Sequence, residues 1–120
     1  MFKESNEKAV ERIDKVRGEI PPIRHINCGF LPSSSDSWPI AVQLLDPVLG
    51  GWIHAHENVN TRDVERRKGE VVEIFTALVL THGRGSIGEH SRVTCEHVEI
   101  VKSYGPRVSH CVFDIAILPP

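Results

Sequence analysis

Two short stretches carry most of the residues whose types and spacing point to chemistry. Leu31-Pro32-Ser33-Ser34-Ser35 sets a proline and three hydroxyls just ahead of an apolar, periodic segment. Hydroxyls and the unpaired N–H groups of a helix N-terminus together suit a carboxylate or a phosphate. Plain helix capping needs the same residues and explains the composition by itself. Further on, His54 and His56 flank Ala55, and Glu57 follows. On a strand, residues two apart share a face, so both imidazoles can meet one ion, with His25 or His110 as a third ligand from elsewhere. Glu57 would fall on the opposite face. The competing reading is a set of partly buried, hydrogen-bonded histidines, and no metal site is assigned.

A third group, Lys102, Tyr104, Arg107 and His110, surrounds a turn and can touch phosphates or stack on a base. Arg62, Arg66, Arg67 and Lys68 add charge nearby, but Asp63, Glu65 and Glu70 interleave with them and favour a solvated surface. No G-x-S-x-G elbow occurs, and no base is placed beside Cys28, Cys95 or Cys111, which leaves nucleophilic catalysis without support. Phosphate loops of the G-x-G-x-x-G or G-x-x-x-x-G-K-[ST] type are absent as well.

The elements that must position these residues follow from periodicity. Ala9, Val10, Ile13 and Val16 mark an amphipathic helix that stops near Gly18, before Pro21-Pro22. Ile23–Phe30 reads as a short strand. Ser33–Asp36 opens a second helix with Trp38, Val42 and Leu45 on one face, and Asp46-Pro47 ends it. Gly50-Gly51 turns the chain into a strand over Trp52–Val59. Thr61 is placed to cap a long third helix carrying Val64, Val71, Val72, Phe75, Leu78 and Val79 at helical spacing. Arg92–Lys102 and Val108–Leu118 form a closing pair of strands around Ser103-Tyr104-Gly105-Pro106.

The order is α-β-α-β-α-β-β. Two helical crossovers imply parallel strands, and the last hairpin adds an antiparallel pair. In such a sheet ligands sit beyond the carboxyl ends of the parallel strands, here Gly29–Ser35 and His56–Asn60.

The 120 residues suit one domain, and a charged fraction of 25% with net charge −2 argues against both disorder and a global basic field. No apolar run reaches the roughly 18 residues that span a bilayer. Three widely spaced cysteines and a charged amino terminus without an apolar core predict a reducing, cytoplasmic setting with no signal peptide.

Three runs in order carry a resemblance: Ile26-Asn27-Cys28-Gly29-Phe30-Leu31-Pro32-Ser33-Ser34, Gly50-Gly51-Trp52-Ile53-His54-Ala55-His56-Glu57-Asn58-Val59 and Val101-Lys102-Ser103-Tyr104-Gly105-Pro106. They resemble the tRNA wybutosine-synthesising protein 2 family, with its N-L-G-L-[IL]-P-S-S, G-G-W-[IL]-H-x-H-x-N-V and V-K-x-Y-[AG]-P patterns. Ile20-Pro21-Pro22-Ile23-Arg24-His25 is similar to fungal members, although the family's Asp-Arg pair is Arg24-His25 here. The resemblance implies the carboxy-terminal half of a class I methyltransferase-like, Rossmann-type sheet. It also implies transfer of the 3-amino-3-carboxypropyl group of S-adenosylmethionine to carbon 7 of 4-demethylwyosine in phenylalanine tRNA.

Carried over by position, Asn27, Gly29, Pro32, Ser33 and Ser34 match the loop after the family's fourth strand. His54, His56 and Asn58 match the loop after its fifth. Lys102, Tyr104 and Pro106 match the turn of the terminal hairpin, on the tRNA side with Arg107 and His110. Glu4 and Asn6 match remnants of a cofactor-binding segment. Gly29 stands where related tRNA guanosine methyltransferases have an Asn-x-Pro motif, which implies room for a bulkier base. The family's Gly-rich loop and acidic ribose ligand have no counterpart in residues 1–120, so the chain reads as a partial catalytic domain. Two other readings stay open: a non-catalytic half-domain or paralogue that binds tRNA or a partner chain, and a His-x-His metalloprotein. A sheet cut at its middle also exposes an edge, and self-association through Ile23–Phe30 is expected.

Overall fold

A computed structural model describes residues 10–29, 34–103, 105 and 107–120. Ala9, Phe30, Tyr104 and Pro106, which bounded elements or turns in the sequence, lie outside the described residues. A helical segment, α1, occupies residues 10–16. It is followed by β1 (His25–Cys28), α2 (Trp38–Leu44), β2 (Gly51–Asn60), α3 (Val64–His82), β3 (Arg92–Ser103) and β4 (Val108–Leu118). The α-β-α-β-α-β-β order is the expected one, and β4 has the bounds read from the sequence.

Strand β1 pairs in parallel with β2, as a strand–helix–strand crossover requires. The second crossover does not deliver a neighbour. β4 inserts between β2 and β3, antiparallel to both, to give the order β1-β2-β4-β3. β3 therefore runs in the same direction as β2 without touching its edge. The expected parallel sheet reduces to one parallel pair within a mixed sheet, because β4 returns from Gly105 (φ 97°) into the place beside β2 that a parallel β3 would have taken.

One face of this sheet carries the core. Ile53 and Ala55 of β2 and Cys111, Phe113, Ile115 and Ile117 of β4 meet Trp38, Val42 and Leu45 around α2 and Val71, Phe75 and Val79 of α3. Trp38 stacks on Phe75 with ring centroids 4.8 Å apart. Arg17 ties α1 in place by donating to the carbonyls of Gln43 and Leu44 at the end of α2, at 3.1 and 3.2 Å, where unpaired carbonyls favour a cation. Asp14, held below the usual carboxylate range by Arg17 and Arg84 despite its desolvation, bridges α1 to the loop after α3.

Gly50-Gly51 turns the chain as expected, and neither glycine is replaceable at its place. Gly50 has φ 68°, and a side chain at Gly51 would meet the Arg24 carbonyl oxygen at 2.1 Å. The capping residue of the third helical stretch differs from expectation. Asn60 accepts from the Arg62 N–H at 3.0 Å at the start of a 3-10 turn (Thr61–Asp63), while the Thr61 hydroxyl pairs with Ser109 Oγ at 2.9 Å. No helix among the described residues is long and apolar enough to cross a membrane.

Candidate functional site

Strand β2 alternates strictly. Ile53, Ala55, Glu57 and Val59 are buried against the helices, whereas Trp52, His54, His56 and Asn58 are half-buried on the other face. The resemblance put His54, His56 and Asn58 in a loop; the structure corrects this, because all three lie within β2 and project from the open face of the sheet. His25 and Asn27 of β1 and His110 and Asp114 of β4 flank them there.

These side chains form two relays. His54 Nδ1–H donates to Asp114 Oδ1 at 2.7 Å, and His54 Nε2 faces His25 Nδ1 at 3.0 Å. A carboxylate only accepts, so Nδ1 of His54 is the donor in that pair. His25 in turn stacks on Trp52 at 5.0 Å, and the Arg24 guanidinium sits 5.2 Å from the centre of that indole. In the second relay His56 Nε2–H donates to Asn27 Oδ1 at 2.7 Å, and His56 Nδ1 lies 2.9 Å from His110 Nε2. Desolvation lowers the pKa of His56, and His110 and His54 push the same way against the pull of Asp114, so its ring is held neutral. His54 and His56 thus serve separate relays and do not converge. Among the described residues no group of three His, Cys, Asp or Glu side chains is arranged to hold a metal ion.

The register sets where the expected ligand loops fall along the sheet. Asn60 at the end of β2 lies opposite Val108, the start of β4, so the β3–β4 turn sits beside the carboxyl end of β2, whereas β1 ends at Cys28, opposite Ala55 in the middle of that strand. Thr61 N–H donates to the Arg107 carbonyl at 2.8 Å, which joins the turn to the end of β2. Lys102 pairs in register with His110, and His110 with Asn58. Asn58, Lys102 and Arg107 therefore lie at the carboxyl end of β2, while Asn27 stands level with His54 and Ser34 is tied to His56, nearer the middle of that strand. His110 stands one step inward in the second relay. Among the described residues, a methyl group at Gly29 meets no atom within 4 Å. Asn58 Oδ1 is buried and has no hydrogen-bond partner among the described residues. Glu4, Asn6, Pro32, Ser33 and Tyr104 lie outside the described residues.

Ser34 does not do the capping job read for its side chain. Its hydroxyl makes no cap; it donates to the His56 carbonyl at 2.9 Å and accepts from the indole N–H of Trp38 at 2.8 Å. Ser34 is buried and knots the loop before α2 to the end of β2. The basic cluster on α3 also departs from a wholly solvated surface. Arg67 forks onto both oxygens of the buried Glu57, 3.0 Å from Oε2, and also meets Glu70 at 3.3 Å. The Glu57 carboxylate raises the Arg67 pKa further. Sequence spacing gives no sign of this pair, which joins a strand and a helix across the core. Burial pushes the thiols of Cys28, Cys95 and Cys111 up, so none is an activated nucleophile.

A nucleoside cofactor needs a carboxylate for its ribose hydroxyls and a glycine-rich turn for close backbone approach. The described residues do not fit that demand. Glu57 faces the helices and is taken by Arg67, and Asp114 lies mid-sheet on His54. They supply one wall of a site, not a cradle.

No protein-family model matches the chain. It is 38% identical to tRNA wybutosine-synthesizing protein 2 of Schizosaccharomyces pombe over 96% of its own length and 24% of the relative. It is 32% identical to the protein of the same name in Saccharomyces cerevisiae over 98% of its length and 28% of the relative. The resemblance drawn from three motifs therefore holds across nearly the whole chain, and the chain spans about a quarter of the length of these relatives. The fold is similar to that of M. jannaschii TYW2, solved in complex with AdoMet, with a TM-score of 0.61 at 16% identity over 96% of this chain and 53% of that one.

Proposed function

We propose, from its kinship with tRNA wybutosine-synthesizing protein 2, that this chain is the acceptor-side half of a tRNA-modifying transferase domain. In that reading S-adenosylmethionine supplies the electrophilic 3-amino-3-carboxypropyl group, and carbon 7 of 4-demethylwyosine in phenylalanine tRNA receives it. Residues of this chain form the wall against which the base is set. Asn27 and Gly29 border the base, and Lys102 and Arg107, further along the sheet at the carboxyl end of β2, draw in the phosphate backbone. The work of such a wall is orientation, which in a displacement at a sulfonium carries much of the rate.

The observation that carries the reading is convergence. Residues of all three motifs lie on one sheet: Ser34 is tied to His56 of β2, and Asn58 of β2 pairs through His110 with Lys102 at the basic turn. The fuller reaction belongs to an assembly that includes the part of the relatives this chain does not span. A second reading is a half-domain that binds tRNA without catalysis; it is favoured by the missing carboxylate cradle among the described residues.

The test is binding of phenylalanine tRNA across a salt series, with calorimetry against S-adenosylmethionine, followed by transfer assays with the amino-terminal part of a relative supplied separately. Salt-dependent tRNA binding and transfer only in the mixture supports the transferase. Binding without transfer in the mixture supports the half-domain, and no tRNA binding at any salt overturns both. In the active mixture Gly29→Trp should abolish transfer by setting a bulky ring beside Asn27.

A further inference from the structure

The second relay ends on the one polar side chain of β1 that lies both exposed and next to the carboxyl end of the strand. Asn27 carries an acceptor, Oδ1, and a donor group, the Nδ2 amide. His56 occupies the acceptor. Because Oδ1 cannot donate, His56 must carry its proton on Nε2, and its Nδ1 then accepts from His110 Nε2–H. Each bond fixes the tautomer needed by the next, so the orientation of the Asn27 amide is set two side chains away. Ser34 reinforces the frame by holding the His56 carbonyl, while the His56 ring reaches the other way.

We infer that His56, backed by His110, is a positioning residue that turns the Asn27 amide so that its NH₂ group faces the ligand edge. The site at the end of β1 then takes a group that accepts hydrogen bonds: a ring nitrogen or carbonyl oxygen on the edge of a nucleobase. An Asn27 free to flip would present acceptor and donor equally and would select neither. This inference deepens the reading of the edge as the seat of a tRNA base and rests on it. The histidines of the H-x-H run thereby gain a role that needs no metal.

The test uses the 120-residue chain itself, labelled with ¹⁵N. At pH 7.5 long-range proton–nitrogen spectra should show His56 as the Nε2–H tautomer with an unprotonated Nδ1, and the Asn27 side-chain amide as one fixed conformer. His56→Gln puts an amide N–H close to where Nε2 stood and should leave the Asn27 amide signals in place, whereas His56→Leu should move them to exposed-amide positions. Binding to phenylalanine tRNA should fall about tenfold in Asn27→Ala and in His56→Leu, and no further in the double variant; His56→Gln should bind like the parent. A His56 ring in the Nδ1–H tautomer overturns the inference without any variant. So does an Asn27 amide indifferent to His56→Leu, or additive losses in the double variant. Should the parent not bind tRNA, the functional reading fails while the tautomer and amide signals still decide the positioning.

Discussion

The two faces of strand β2 are made from alternate residues of one ten-residue segment, yet they do opposite things. Toward the helices, Ile53, Ala55 and Val59 enter a dry core, and the lone charge, Glu57, is matched by a forked arginine. Toward the open side, Trp52, His54, His56 and Asn58 are half-buried, and the two histidines enter relays that stay in reach of water. Stability is concentrated on the first face, where burial strengthens every contact. The second holds polar side chains in hydrogen-bonded pairs outside the core. A strand buried on both faces would read as a continuous apolar run, and this one does not. Its polar face is therefore built for something other than a second layer of core.

Substitutions should separate the faces by size of effect. Phe113→Ala, in the centre of the helix-covered side, should cost about 3–5 kcal/mol and leave a chain that melts poorly or not at all. Arg67→Ala strands the buried Glu57 carboxylate and should cost about 2 kcal/mol or more, since Arg67 itself keeps some exposure. The double change Arg67→Met with Glu57→Leu should recover most of that loss in denaturant titrations. Ser34→Ala removes the acceptor of a buried indole N–H as well as its own bond to β2. It should cost about 1–3 kcal/mol, and near-neutral behaviour would show that the loop is not knotted there.

The open face should show itself by its pH response. His56 has its pKa lowered on folding, so the unfolded chain takes up the proton first. Its contribution to stability is complete above the unfolded value of about 6.5 and is lost as pH falls through that value toward the folded one. His56→Gln should flatten this part of the stability–pH curve, and an unchanged slope would remove His56 from the neutral relay. Last in size, His25→Ala loses an exposed stack and an exposed hydrogen bond and should shift stability by about 1 kcal/mol or less. A larger loss would mean that the open face carries folding energy after all.

The unpaired outer edge of β1 bears on the same contrast. β1 is only four residues long and its other edge is taken by β2, so Ile23–Phe30 remains the segment through which self-association is expected. Light scattering that finds only monomer at high concentration would place the edge among those blunted by short length.

Element order, the alternation of β2 and the helical stripes of α2 and α3 were determined by the sequence alone. Periods of 2 and 3.6 residues are local consequences of backbone geometry and show in any window of ten residues. The three motifs also identified the kinship, since they occur together and in order. What local pattern could not settle was the pairing of distant residues. Only the fold decided that β4 enters between β2 and β3, because a hairpin of given length fits either side of its partner. The same holds for Glu57 with Arg67, for Ser34 between Trp38 and His56, and for the four histidines sorted into two relays. Each of these joins side chains from different elements within hydrogen-bonding distance, and that distance is fixed by strand register and helix docking, which no single stretch of sequence contains.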